Sequence, residues 1–386
     1  MIRRGRTKAR EPKRVAPPQP RTRADAATRH AREAKSAQKS TRAEPPPTAT
    51  TPARSRPGRF RPPPFGAPAA IASFLRLPVH ADLASIPGVD VLLVGVPSDA
   101  AVSFRPGARF GPRAVREASV FSSPFSGALG IDVFDEIAAA DGGDVAVPSH
   151  QAELAVEAVA AHAQSVAASG VIPGFVGGDR TLTLGALRGL RRSKHRALGA
   201  LLLSAHPGAS VTSEQLLSSN FLRFAVAEGL VRTDSVMQIG LRGPYGGPEE
   251  LSFAFSHGID TVGIDEVRRD LHSVVGQVRK LVQKGALYVS IDLGVLDPAH
   301  APGVGFPVPG GMTTWDLQQI LRGLVGAEIA GFDVVEIAPD YDPSGITALA
   351  GVSVLQELFA ALADTRRSAR PAPSTHKSGR AGRRSA

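Results

Sequence analysis

The chain has 386 residues, room for one large α/β domain or two ordinary ones, and its formal net charge of +10 is unevenly distributed. Residues 1–64 hold 18 Lys and Arg against four acids, residues 365–386 hold seven basic residues and no acid, and residues 65–364 are left at −11. The absence of cysteine excludes a disulfide framework, thiolate metal sites and cysteine nucleophiles; it fits a reducing compartment, so a cytoplasmic location is expected.

Residues 1–64 contain twelve prolines and almost no Leu, Ile or Phe. Such a segment cannot bury enough apolar area to offset chain entropy, so 1–64 reads as a disordered basic tail, as does 365–386. The expected domain spans 65–364. No run of about 18 uninterrupted apolar residues occurs, so no membrane span is expected. The N-terminus lacks the apolar core of a secretory signal. Tails this rich in Lys and Arg predict weak, nonspecific contact with nucleic acid or another anionic surface.

From Val91 onward, β-branched runs alternate with longer Ala/Leu/Glu/Arg-rich stretches, the pattern of a parallel sheet covered by helices. The predicted strands are 91–96, 172–176, 198–203, 235–239, 287–291 and 333–337. The predicted helices are 112–119, 151–168, 182–190, 213–228, 264–282, 314–324 and 344–364. This alternation implies one three-layer α/β/α domain with a mostly parallel, doubly wound sheet. Ligands of such sheets sit beyond the carboxyl ends of the strands, so the informative residues should follow each strand.

Those residues are distinctive. Gly95-Val96-Pro97-Ser98-Asp99 and the segment from Phe104 to Pro112 follow the first strand, Gly177-Gly178-Asp179-Arg180 the second, and Ser204-Ala205-His206-Pro207-Gly208 the third. Further on come Gly240-Leu241-Arg242-Gly243, then Ser290-Ile291-Asp292-Leu293-Gly294 with Asp297-Pro298, the turns at 302–303 and 309–311, and finally Val335-Glu336-Ile337-Ala338-Pro339. In order and spacing, over residues 88–362, these motifs resemble the ureohydrolase family of arginases, agmatinases and related guanidino hydrolases.

The resemblance implies an arginase/deacetylase-like sheet, hydrolysis of C–N bonds in linear amidines, and two Mn²⁺ ions held by ligands from G-G-D-H, D-A-H-x-D and S-x-D-x-D. At the matching positions this chain has Arg180 for the histidine of the first motif, Ser204 and Gly208 for the outer aspartates of the second, and Gly294 for the second aspartate of the third. His206 and Asp292 remain as residual metal positions. The H-G-T of the family's substrate loop corresponds to Ser218-Ser219-Asn220.

Two dications need several carboxylates, whereas these positions supply one and add a guanidinium that cannot deprotonate. A salt bridge between Arg180 and Asp292 is therefore expected in place of metal, with no cofactor, and with Mn²⁺ only if the site has been rebuilt. A single zinc on Ser204, His206 and Asp292, in the deacetylase manner, would have a hydroxyl where a carboxylate belongs. The substrate-pocket candidates are Glu336, Arg180, Ser204 and Asn220. Asp179, Asp297 and the Arg105/Arg109 segment read as loop-holding residues.

The resulting expectation is an agmatinase-like protein that binds rather than hydrolyses, as a homo-oligomer or in a hetero-oligomer with an active family member, with a small guanidino or amine ligand. The alternatives are a hydrolase of linear amidines with a rebuilt site, and a nucleic-acid or anionic-surface binder acting through the tails.

Overall fold

In the computed structural model, which describes residues 72–80, 88–148, 150–194 and 196–369, the β-branched runs form one eight-stranded sheet. The chain divides into two units, Met1–Arg54 and Ser55–Ala386, and all described residues belong to the second. The readings of 1–64 and of 370–386 as disordered tails lie outside the described residues.

The strands are β1 (Val91–Gly95), β2 (Ala139–Asp144), β3 (Ile172–Val176), β4 (Leu198–Leu203), β5 (Val231–Leu241), β6 (Asp260–Gly263), β7 (Leu287–Asp292) and β8 (Ile329–Val335). They lie in the order β2-β1-β3-β8-β7-β4-β5-β6, and every pairing is parallel. All six predicted strands are present. The two that were not predicted, β2 and β6, are the sheet edges: β2 reads Ala-Ala-Asp-Gly-Gly-Asp and β6 is only four residues long.

The helices that cover the sheet are α1 (Gly111–Ala118), α2 (Ala152–Ala168), α3 (Thr181–Lys194), α4 (Phe221–Ala227), α5 (Pro248–Ser256), α6 (Ile264–Arg269), α7 (Leu271–Val282), α8 (Thr314–Arg322) and α9 (Ile346–Ser368). Alternate residues of each strand feed opposite faces. Val91 and Leu93 of β1 join one core with Val115 of α1, Val278 of α7, Leu317 of α8 and Leu355 of α9. Leu92 and Val94 join the other with Val156 of α2, Leu184 of α3 and Phe221 of α4. The three-layer α/β/α reading is the architecture observed. Helix α9 is long and apolar enough to cross a membrane, but 72% of its most apolar window is buried, so its composition serves the core.

Three boundaries differ from expectation. The predicted helix 213–228 contains only α4, with loop before it. The predicted helix 264–282 breaks at Asp270, whose extended backbone (φ −155°, ψ 78°) ends α6 and whose carboxylate accepts from the Ser273 amide to cap α7. Helix α9 runs to Ser368, beyond the expected domain end at 364, and Arg366, counted with the tail charges, pairs with Asp90.

Candidate functional site

The carboxyl ends of four adjacent strands, β3, β8, β7 and β4, open onto a cavity of about 280 Å³. Arg180 follows β3, Glu336 follows β8, Asp292 ends β7, and Ser204 and His206 follow β4. After β3 the chain turns through Gly177 and Gly178, both with positive φ. A Cβ on Gly178 would lie 2.7 Å from the Val96 carbonyl oxygen, so only glycine fits this turn, which delivers Arg180 to the start of α3.

Arg180 is 4% exposed and its guanidinium stacks on the Phe221 ring, 4.7 Å from the centroid. Nη1 donates to the His206 carbonyl at 3.0 Å. Nε stands 3.8 Å from Asp292 Oδ2, an ion contact too long for a hydrogen bond, and finds no other partner. The expected ion pair between Arg180 and Asp292 is therefore present, and it stays a contact without a hydrogen bond because the Asp292 oxygens are already engaged. Ser204 Oγ donates to Oδ2 at 2.6 Å and the Gly294 amide donates to Oδ1 at 2.7 Å. Ser204 Oγ in turn accepts from the His206 amide at 3.0 Å, so Ser204 braces Asp292 and does not line the cavity.

Gly208 makes room for this packing. Its φ is +68°, and a Cβ there would sit 2.6 Å from Phe221 Cε1 and 3.5 Å from Arg180 Nη2. His206 sets its ring edge on Phe306, with centroids 4.8 Å apart. Burial, reinforced by the Arg180 charge and opposed by Asp292, pushes the His206 imidazole below its ordinary value, and Nε2 has no partner.

Glu336 occupies the left-handed region with φ 66°, rare for a residue with a Cβ and typical of functional positions. Its amide donates to the Gly178 carbonyl at 2.9 Å, and its Oε1 accepts from the Arg180 amide at 3.2 Å. Burial, with the negative charges of Asp292 and Asp179, raises its carboxyl well above the usual range despite Arg180.

Beneath the floor, Asp333 accepts from Ser290 Oγ and Tyr288 OH at 2.7 Å and from Thr183 Oγ1 at 2.8 Å. Burial outweighs these bonds and pushes its carboxyl up to about 6.

Of the predicted pocket residues, Arg180 and Glu336 line the cavity together with His206 and Asp292, whereas Asn220 does not. Its side-chain amide is consumed by the preceding loop: Oδ1 accepts from the Leu217 amide, and Nδ2 donates to the carbonyls of Ser213 and Gln215. Ser218, two residues earlier, lines the cavity instead. The loop-holding readings agree with the structure. Asp179 accepts from the Thr181 and Ala101 amides, Asp297 from those of Ala299, Gly310 and Gly311, and Arg109 binds Asp99 at 2.6 Å.

Sequence reasoning missed the aromatic mouth. Phe104 and Phe306 face each other across it with centroids 5.5 Å apart. The available signal was a large aromatic at 306 inside a Gly/Pro-rich turn, where no core needs it.

A parallel doubly wound sheet with its polar residues gathered at adjacent strand ends has the layout of the ureohydrolases. The arginase family model matches residues 89–360, and the chain belongs to that family. Within it, the chain is 36% identical over 322 residues to the mitochondrial agmatinase of Gallus gallus, covering 82% of this chain and 93% of that one. It is also 36% identical to a guanidinobutyrase of Pseudomonas aeruginosa, over 76% of this chain and 92% of the relative. Among solved structures, a hypothetical agmatinase from Burkholderia thailandensis superposes with a TM-score of 0.74 at 32% identity, covering 82% of this chain and 97% of that one. The proclavaminate amidinohydrolase of Streptomyces clavuligerus gives 0.73, also at 32%, covering 77% and 98%.

Manganese is typical of this family. Asp292 has its oxygens bonded to Ser204 and Gly294, a guanidinium stands beside it, and among the described residues no group of three or more His, Asp or Glu side chains could hold an ion.

Proposed function

We propose that this agmatinase-like member of the arginase family has lost the dimanganese centre and acts by binding, as a small-ligand sensor or as a regulatory subunit beside an active family member. One observation carries the reading: the Arg180 guanidinium lies buried 3.8 Å from Asp292, one of the two residual ligand positions. A fixed positive charge about 4 Å away opposes each unit charge of a metal by about 4 kcal/mol at an effective dielectric near 20. Assembly with itself or with a catalytic relative, in the cytoplasm, belongs to the same proposal.

The test is metal content of the purified protein together with urea release from agmatine and guanidinobutyrate. We expect well below one equivalent of manganese, zinc, nickel or iron per chain, and no urea. Two tightly held ions with urea release would overturn the proposal in favour of a second reading, an amidine hydrolase with a rebuilt site. That reading is favoured by the 36% identity to agmatinase and guanidinobutyrase. It has Glu336 hold the substrate guanidinium, so its urea release would be lost in Glu336→Gln.

A further inference from the structure

At the cavity floor, two buried groups of opposite hydrogen-bonding polarity keep atoms free, Nε and Nη2 on Arg180 and Oε2 on Glu336. Arg180 spends Nη1 on the His206 carbonyl, and among the described residues nothing accepts from Nη2. Glu336 spends Oε1 on the Arg180 amide, and among the described residues nothing donates to Oε2. Both side chains line the cavity. Ser218, on the opposite loop, adds a hydroxyl without a partner. Val102, Leu217, Phe104 and Phe306 give the walls above an apolar side, beside Thr212 and Glu250, and the two rings stand 57% and 41% exposed at the mouth.

We infer that this cavity takes a neutral carboxamide or ureido head, its carbonyl oxygen accepting from Arg180 and its N–H donating to Glu336, with an apolar or aromatic body against Phe104 and Phe306. The inference rests on the binding-only reading above and names its ligand. The complementarity follows from the donor and acceptor inventory. A guanidinium or amidinium offers only donors to Arg180 and brings a like charge to it. A carboxylate brings a like charge to Asp292 and offers no N–H to the free Glu336 oxygen. A carboxamide carries an acceptor oxygen and a donor nitrogen on one carbon and brings no charge, so of these three heads it alone can satisfy both floor groups. A flat body then adds aromatic contact at the mouth. The guanidino or amine ligand expected from the family resemblance gives way, on this geometry, to a neutral one.

The experiment uses three probes of one shape that differ only in the head: phenylacetamide, phenylacetamidine and phenylacetate. Each is titrated calorimetrically into the full-length protein, with ammonia release and metal content followed on the same samples. The amide should bind at least about tenfold more tightly than either ion, the usual effect of a mismatched hydrogen bond to a charged group. Phe306→Ala, an exposed position that leaves the core intact, should weaken the amide about fivefold while the circular dichroism spectrum is retained.

An amidine that binds as tightly as the amide without being consumed would overturn the neutral-head inference and leave the binding-only reading standing. Ammonia released from the amidine by metal-loaded protein would overturn both. Failure of all three probes to bind the folded protein, or amide binding indifferent to Phe306→Ala, would reject the ligand assignment alone.

Discussion

Replacing Asp292 by alanine tests how the cavity floor is held together. Its carboxylate accepts from Ser204 Oγ at 2.6 Å and the Gly294 amide at 2.7 Å, and it lies 3.8 Å from Arg180 Nε. At that separation the attraction between the charges is about 4 kcal/mol at an effective dielectric near 20, and each lost hydrogen bond adds about 1 kcal/mol. Water entering the space left by the carboxylate returns part of this, and breaking one side of a buried pair costs about 3–5 kcal/mol. Asp292→Ala should therefore lower the unfolding free energy by about 3–5 kcal/mol in urea denaturation followed by near-ultraviolet circular dichroism. Adding Arg180→Met removes the stranded charge, so the double variant should be more stable than the sum of the single losses by about 1–3 kcal/mol. If Asp292→Ala costs less than about 1 kcal/mol, or if the two substitutions simply add, the guanidinium is held by Phe221 and the His206 carbonyl alone, and the ion-pair argument fails.

Asp333 provides a pH test. Its folded pKa of about 6 lies above the ordinary value of 3.8, so the folded state holds the proton more tightly, and this group's contribution is greatest below about pH 4. Stability should fall by about 3 kcal/mol as pH rises through 6, and Asp333→Asn should flatten that stretch of the curve; parallel curves for the two proteins would contradict the burial argument. Gly178→Ala combines positive φ with a Cβ 2.7 Å from a carbonyl oxygen and should cost about 2 kcal/mol or more in the same denaturation assay. A neutral result would mean that the turn can rearrange. Deleting residues 1–64 and 370–386 should leave the melting temperature nearly unchanged and should abolish a weak, sequence-indifferent affinity for DNA that falls steeply between about 50 and 200 mM salt. Salt-resistant binding by the truncated protein would instead place nucleic-acid recognition in the folded body.

The central strands were legible because they are buried on both faces and therefore spelled in unbroken runs such as Leu198-Gly-Ala-Leu-Leu-Leu203. Edge strand β2 was not, since small and acidic residues suffice where one side needs no partner. The stretch before Phe221 reads as helix by composition, but the Asn220 amide ties up the carbonyls of Ser213 and Gln215 and the amide of Leu217, offering the backbone an alternative to the helix. In the site, Arg180, Asp292, His206 and Glu336 were findable because each occupies the position just past a strand or at its end. Phe306 carries no periodicity, and Phe221 looked like any apolar residue of a helix; its role as the surface beneath Arg180 depends on tertiary packing that no local pattern encodes.

Gly208 gives this arrangement a history-dependent character. A side chain there cannot be introduced first, because its Cβ would lie 2.6 Å from the Phe221 ring. Nor can Phe221 be trimmed first without penalty, because Arg180 would lose the ring on which it rests. Removing Arg180 first leaves Asp292 without its nearest cation. Each single step away from the present floor passes through a less stable protein, so the three positions are interlocked and must be exchanged together. An engineer seeking to install a new acid at 208 would do best to start from the simultaneous replacement of Phe221 and Arg180, and to judge success by recovery of stability before looking for any gain in chemistry.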